Sequence, residues 1–79
     1  MTNPRFDRIV CDPARVNGQP CVRGTRITVR RVLDLIATYG DRADLRRDYP
    51  ELDEEAVGQA LAYASAILDD EVVELPRPA

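Results

Sequence analysis

The sequence predicts a mainly α-helical fold with a small β-arm: a short N-terminal β-hairpin, a three-helix bundle of helix-turn-helix type and an extended C-terminal tail. Three observations predict it. Two β-prone runs, residues 8–11 and 20–23, flank a turn-rich stretch from Asp12-Pro13 to Asn17-Gly18. Three downstream segments carry apolar residues at helical spacing, each behind a capping residue, Thr28, Asp41 or Asp53. Beyond Leu68 the pattern changes to an alternation of apolar and charged residues stiffened by Pro76 and Pro78. Residues 1–68 are read as one domain and residues 69–79 as a partner-binding arm.

Two short strands alone are marginal in water, so the hairpin must pack on the helices or pair with another copy. The first helix is placed from about Val29 to Tyr39. Val29, Val32, Leu33, Ile36 and Tyr39 line one face, and Gly40 stands where a left-handed residue ends a helix. Arg30 and Arg31 lie off that stripe. Asp41 caps a second helix from Arg42 to Asp48, with Asp44 in its first turn and Leu45 and Tyr49 as its apolar pair. Pro50 stops it. Asp53 caps a third helix, Glu54 to Leu68, with Leu52 and Val57 as a hydrophobic staple. Val57, Ala60, Leu61, Ala64, Ile67 and Leu68 form its apolar face, and the alanines at 56, 60, 62, 64 and 66 favour helix. Gly58 costs helix stability without an evident reason.

With 79 residues, 44 % of them hydrophobic and 32 % charged, the chain has the composition of a small folded domain rather than a disordered segment. No apolar run approaches the roughly 18 residues that span a bilayer, and residues 1–6 lack the apolar core of a signal peptide. A cytoplasmic location is expected. The net charge of −3 conceals a division. Up to residue 31, seven arginines against two aspartates leave +5; from residue 32 on, four arginines against twelve acids leave −8. Two oppositely charged halves point to two partners. Every basic side chain is arginine, whose planar fork meets phosphate or carboxylate bidentately.

The inventory argues against an enzyme. There is no histidine, so a general base at neutral pH would have to be a shifted carboxylate or thiolate. Cys11 and Cys21 are not spaced as a metal pair and are read as free, partly buried thiols, with a disulfide across the hairpin as the alternative, unusual in a reducing compartment. Asp41, Asp44 and Asp48 share a helical face, but capping and Arg47 account for them. The glycines are isolated, which excludes a phosphate-binding loop. No catalytic residue, cofactor or metal ligand is assigned.

Macromolecule binding fits better. In helix-turn-helix proteins the last helix enters the major groove by its N-terminal residues. Here those are Glu54, Glu55 and Gln59, and two carboxylates would face phosphates. DNA contacts are therefore expected from Arg23, Arg26, Arg30 and Arg31, followed by Arg42, Arg46 and Arg47, through phosphate contacts that carry affinity and salt dependence.

The string Asn17-Gly18-Gln19-Pro20-Cys21-Val22-Arg23-Gly24-Thr25-Arg26-Ile27 resembles the Gly-Thr-Arg-Ile signature of a widespread bacterial family, catalogued as domain of unknown function number four hundred and thirty-three. Asp48-Tyr49-Pro50-Glu51-Leu52 and Ala60-Leu61-Ala62-Tyr63-Ala64 match its Tyr-Pro-x-Leu and Ala-Leu-x-Tyr-Ala elements, in the right order. The resemblance spans about residues 8–66. It implies a homeodomain-like three-helix fold behind a β-arm, and a VapB-like antitoxin encoded beside a ribonuclease toxin of the PIN class. For the signature itself a structural reading comes first. Gly24 permits a tight turn, Thr25 bonds backbone, Arg26 clamps it and Ile27 anchors it to the core.

Antitoxins of this type silence the nuclease with a C-terminal arm. The resemblance thus implies toxin contacts from Asp69, Asp70, Glu71, Val72, Val73, Leu75 and Arg77. Arg77 is the one basic residue after Arg47, and it would supply positive charge in place of the nuclease magnesium. The acids at 69–71 oppose the helix dipole, so helix stability does not explain them. The leading expectation is a type II antitoxin that binds a PIN-type ribonuclease, acts as a homodimer and represses its own operon by binding DNA. The alternatives are a free-standing DNA-binding regulator and a protein-interaction adaptor.

Overall fold

The structure, a computed structural model, describes residues 6–14 and 18–69. Strands β1 (Ile9–Cys11) and β2 (Pro20–Val22) form an antiparallel hairpin with Ile9 opposite Val22, Val10 opposite Cys21 and Cys11 opposite Pro20. Three helices follow: α1 (Val29–Thr38), α2 (Arg42–Asp48) and α3 (Glu54–Leu68). The fold is thus mostly helical with a small β-arm. Because directly opposed residues share a face of the sheet, the register sends Cys11 and Cys21 to opposite faces. Neither cysteine is in a disulfide; Cys11 is exposed and Cys21 buried.

The caps act as the sequence expects. The Thr28 hydroxyl accepts the Arg31 N–H (3.0 Å), Asp41 accepts the Ala43 N–H (2.8 Å) and Asp53 accepts the Ala56 N–H (2.8 Å). Each satisfies a donor that the first helical turn leaves without a partner. Between α2 and α3, Tyr49-Pro50-Glu51-Leu52 closes a tight turn in which the Leu52 N–H donates to the Tyr49 carbonyl (2.9 Å). Proline suits its second position because its φ is already set.

The core is a single cluster of Val22, Val29, Val32, Leu35, Leu45, Leu52, Ala56, Val57 and Ala60. Leu52 and Val57, the staple pair, are both fully buried. Phe6 is buried at the edge of the core, its ring edge-on to Tyr63 with centroids 5.5 Å apart. The hairpin therefore packs on the helices of its own chain.

Three expectations need correction. On α1 the most buried residues are Val29, Val32 and Leu35, while Leu33, Ile36 and Tyr39 are only partly buried. The helix packs against β2, α2 and α3 together, so its buried arc is wider than a single-sided stripe and turned toward Leu35. Gly40 does not end α1 in a left-handed conformation. The chain leaves through an extended Tyr39 (φ −87°, ψ 119°), and the positive-φ glycines among the described residues are Gly18 and Gly24. On α3 burial stops early: Ala56, Val57 and Ala60 are buried, but Leu61, Ile67 and Leu68 are 41, 44 and 61 % exposed. No described element covers the outer side of the last two turns.

Gly24 and Gly58 give opposite predictions. Gly24 has φ +78° with open space around the position of a Cβ, so Gly24→Ala meets only the left-handed backbone penalty, about 1–2 kcal/mol. A thermal midpoint lower by roughly 4–8 °C per kcal/mol is expected for a domain of this size. Gly58 lies mid-helix with nothing near its missing Cβ, so Gly58→Ala should stabilise by about 0.5–1 kcal/mol. Thermal unfolding of the two variants checks both signs.

Candidate functional site

The segment joining β2 to α1 is built by the Gly-Thr-Arg-Ile motif. The Thr25 hydroxyl donates to the Val22 carbonyl (2.8 Å) and accepts the Ile27 N–H (3.0 Å). The Val22 N–H donates to the Ile27 carbonyl (2.9 Å), and the Thr25 N–H donates to the Val22 carbonyl (3.0 Å). Gly24 supplies the positive φ, and Ile27 packs against the core. Three of the four motif residues thus have a structural task. Arg26 does not: it is exposed, and its guanidinium makes no hydrogen bond or ion pair among the described residues. The expected backbone clamp by Arg26 is not formed, because Thr25 already satisfies the turn.

Arg30 and Arg31 follow in the first turn of α1, also exposed and without a side-chain partner among the described residues. That turn carries no acid. Two cations at the positive end of a helix are unfavourable for the helix and raise the local positive potential. Arg23 stands at the edge of this shoulder with its Nε donating to the Asp7 carbonyl (2.8 Å).

The second expected group of arginines is differently placed. Arg42 pairs with Glu54 (3.2 Å), and Arg47 pairs with Asp44 (3.2 Å) and Asp48 (3.4 Å). Arg46 is exposed without an ion pair among the described residues. The seven candidate DNA-binding residues therefore divide into Arg23, held at the Asp7 carbonyl, a shoulder of Arg26, Arg30 and Arg31 without ion pairs among the described residues, and a largely neutralised set on α2. Of the expected toxin-binding residues, Asp69 caps the end of α3 and is exposed. Asp70, Glu71, Val72, Val73, Leu75 and Arg77 lie outside the described residues.

Arg8, unassigned from the sequence, anchors the β-arm. Its guanidinium donates to both oxygens of Asp53 (3.0 and 2.9 Å) and lies 3.7 Å from Glu55. Its backbone N–H donates to Gln59 Oε1 (2.8 Å), while Gln59 Nε2 donates to Asp7 Oδ1 (2.7 Å). The α3 N-terminus, where a recognition helix would lead into DNA, is thus occupied by contacts to the arm and α2. At the other end of α1, the Tyr39 hydroxyl donates to Asp48 (2.7 Å) and its ring meets Tyr49 edge-on.

These bonds fix the pH response. The Ala56 N–H, then Arg8, hold the Asp53 carboxyl below its ordinary pKa, and the Tyr39 hydroxyl, then Arg47, do the same for Asp48. Carboxyls depressed in the folded state contribute stability above their unfolded pKa, near 4, and lose it as pH falls through the folded value. The bond to Asp48 raises Tyr39, whose contribution is present below about pH 10 and lost as pH rises through the folded value. With no histidine in the chain, the urea midpoint should be flat from about pH 5 to 8 and fall below about pH 4. A midpoint that changes steeply between pH 5 and 8 would contradict this assignment.

Among the described residues, no cluster of histidine, cysteine or acidic side chains could hold a metal, and no helix is long and apolar enough to cross a membrane. The geometry defines a small hairpin and three-helix domain with an exposed arginine shoulder. The chain belongs to the family described as "Protein of unknown function (DUF433)", whose model matches residues 9–64. No curated protein and no solved structure matches it.

Proposed function

We propose that the protein is the antitoxin of a type II toxin–antitoxin pair. It binds and neutralises a PIN-type ribonuclease through residues 69–79 and, as a homodimer, binds the DNA of its own operon through the arginine shoulder. The observation that carries the DNA-binding part is Arg26 with Arg30 and Arg31, exposed and without ion pairs among the described residues although the chain is acidic overall. Fold stability gives no reason for three such cations, whereas phosphate contact does. The resemblance of the three sequence motifs to VapB-like antitoxins supports the toxin-binding part. In that reading Arg77 enters the carboxylate cluster of the nuclease and takes the place of its magnesium, a charge-assisted contact in a desolvated site.

The test is co-expression with the product of the adjacent gene, with growth and pull-down as readouts. A toxic neighbour, a stable complex and restored growth support the antitoxin reading. Arg77→Glu should then abolish rescue. A neighbour that is harmless alone and forms no complex refutes the reading and leaves a free-standing DNA-binding regulator, which the same arginine shoulder favours.

A further inference from the structure

The last two turns of α3 border an apolar groove of about 310 Å³. Val29 and Leu33 of α1 and Tyr63, Ala64, Ile67 and Leu68 of α3 line it, with Arg30 at the same site. The α3 wall also projects, since Ile67 is 44 % and Leu68 61 % exposed. An exposed apolar surface rimmed by charge marks a binding surface. Two charges stand at this one. Arg30 lies in the first turn of α1, and Asp69 follows Leu68 as the C-cap of α3. Both are exposed, and neither makes an ion pair among the described residues, with the other or with any third group. Each also opposes the dipole of its own helix, so fold stability explains neither.

We propose that this groove is the contact surface of a two-fold dimer, in which it receives the last turn of α3 from a second copy of the chain. An isologous interface uses one patch twice, so the patch must carry both halves of every contact. This patch does. The groove takes up aliphatic side chains, with the small Ala64 leaving room in its wall, and Ile67 and Leu68 are the aliphatic side chains to be taken up. Charge repeats the pattern. Asp69 is the next residue after Leu68, about 3.8 Å along the chain. A Leu68 seated in the other copy's groove therefore carries the Asp69 carboxylate toward the rim where Arg30 stands, and the two-fold makes the exchange reciprocal. An unrelated partner would call for only one half of each contact on this chain.

The proposal deepens the homodimer of the proposed function, on which it rests, and needs neither toxin nor DNA. The patch is smaller than the roughly 20–30 residues a side of a standard interface, so the association is expected to depend on concentration. A bidentate carboxylate leaves a guanidinium further N–H donors, so pairing with Asp69 does not withdraw Arg30 from phosphate. Dimerisation also sets two arginine shoulders in one particle, which strengthens DNA binding without any new contact.

Sedimentation of the full-length chain over a hundredfold concentration range tests the proposal. The parent should pass from monomer to dimer. Leu68→Asp should raise the Kd of the dimer at least about 30-fold, the scale of one lost hot spot. Arg30→Asp should raise it about tenfold or more by setting like charges together, and adding Asp69→Arg should restore the dimer. Both charge reversals suit the helix dipoles better than the residues they replace, so a lost dimer cannot be laid to a weakened fold. Far-ultraviolet dichroism of the variants should match the parent. A parent that stays monomeric up to about 1 mM overturns the proposal, and the homodimer of the proposed function with it. A dimer that Leu68→Asp leaves intact overturns the groove alone, and the copies then pair through another surface. A reversal that the swapped pair fails to restore overturns it as well. Growth rescue on co-expression decides the antitoxin reading separately.

Discussion

Replacing Arg26, Arg30 and Arg31 together by alanine is expected to lower the slope of log affinity against log salt for operator DNA by about 2.7, at about 0.9 per phosphate contact. If the proposed phosphate contacts are made, the parent should lose about 40-fold more affinity than the variant between 50 and 200 mM salt. Stability should hardly change, since the three side chains are exposed and make no bonds among the described residues, and such surface changes stay within about 0.5 kcal/mol. The comparison variant is Arg42→Ala with Arg47→Ala. Those arginines are already paired with Glu54, Asp44 and Asp48, so the slope should fall by much less. An unchanged slope in the triple variant, with full affinity, would move the DNA contacts off the shoulder.

Much of this architecture is legible in the sequence because local chemistry dictates it. Thr28, Asp41 and Asp53 cap because a short side-chain oxygen can reach a free N–H in the first turn. Pro50 ends α2 because it disfavours helix at the residue before it. Periodicity then places three helices within one residue of their bounds. Other features depend on several neighbours at once. The wider buried arc of α1, centred nearer Leu35, follows from its being flanked on three sides. The exposure of Leu61, Ile67 and Leu68 follows from the lack of a covering element among the described residues, which helical periodicity does not report.

The site divides in the same way. An excess of arginine in the first half is visible as composition, but its meaning depends on which arginines find acids. Arg8 reaches Asp53 across 45 positions, and Arg42 reaches Glu54 across the α2–α3 turn. These pairings are long-range, and no local rule signals them. Arg26 shows the reverse. Beside Gly24 and Thr25 it reads as part of a structural motif, yet the turn closes without it, so of the two roles the sequence offers Arg26 the backbone clamp is not formed.

Leu45→Ala is expected to cost about 3 kcal/mol, within the 2–5 kcal/mol seen for buried leucines. Leu45 is fully buried and is the one buried residue of the seven-residue α2. A helix that short has no stability of its own in water, so α2 exists because Leu45 holds it to the core. Its removal leaves a cavity beneath α2. It also loosens what α2 carries: the Tyr39–Asp48 hydrogen bond, the Tyr39–Tyr49 ring contact and the Arg42–Glu54 pair. A domain of 79 residues has a total stability of roughly 4–12 kcal/mol, so this loss is a large fraction of it. With a urea slope of about 1 kcal/mol/M the midpoint should fall by about 3 M. Near-ultraviolet dichroism should weaken with it, since the chain has three tyrosines and no tryptophan and two of those tyrosines flank α2. Leu45→Met, which keeps most of the volume, should cost less than about 1.5 kcal/mol. If Leu45→Ala cost no more than Leu45→Met, α2 would lie outside the cooperative unit, and the turn it forms with α3 would be a mobile attachment rather than part of the core.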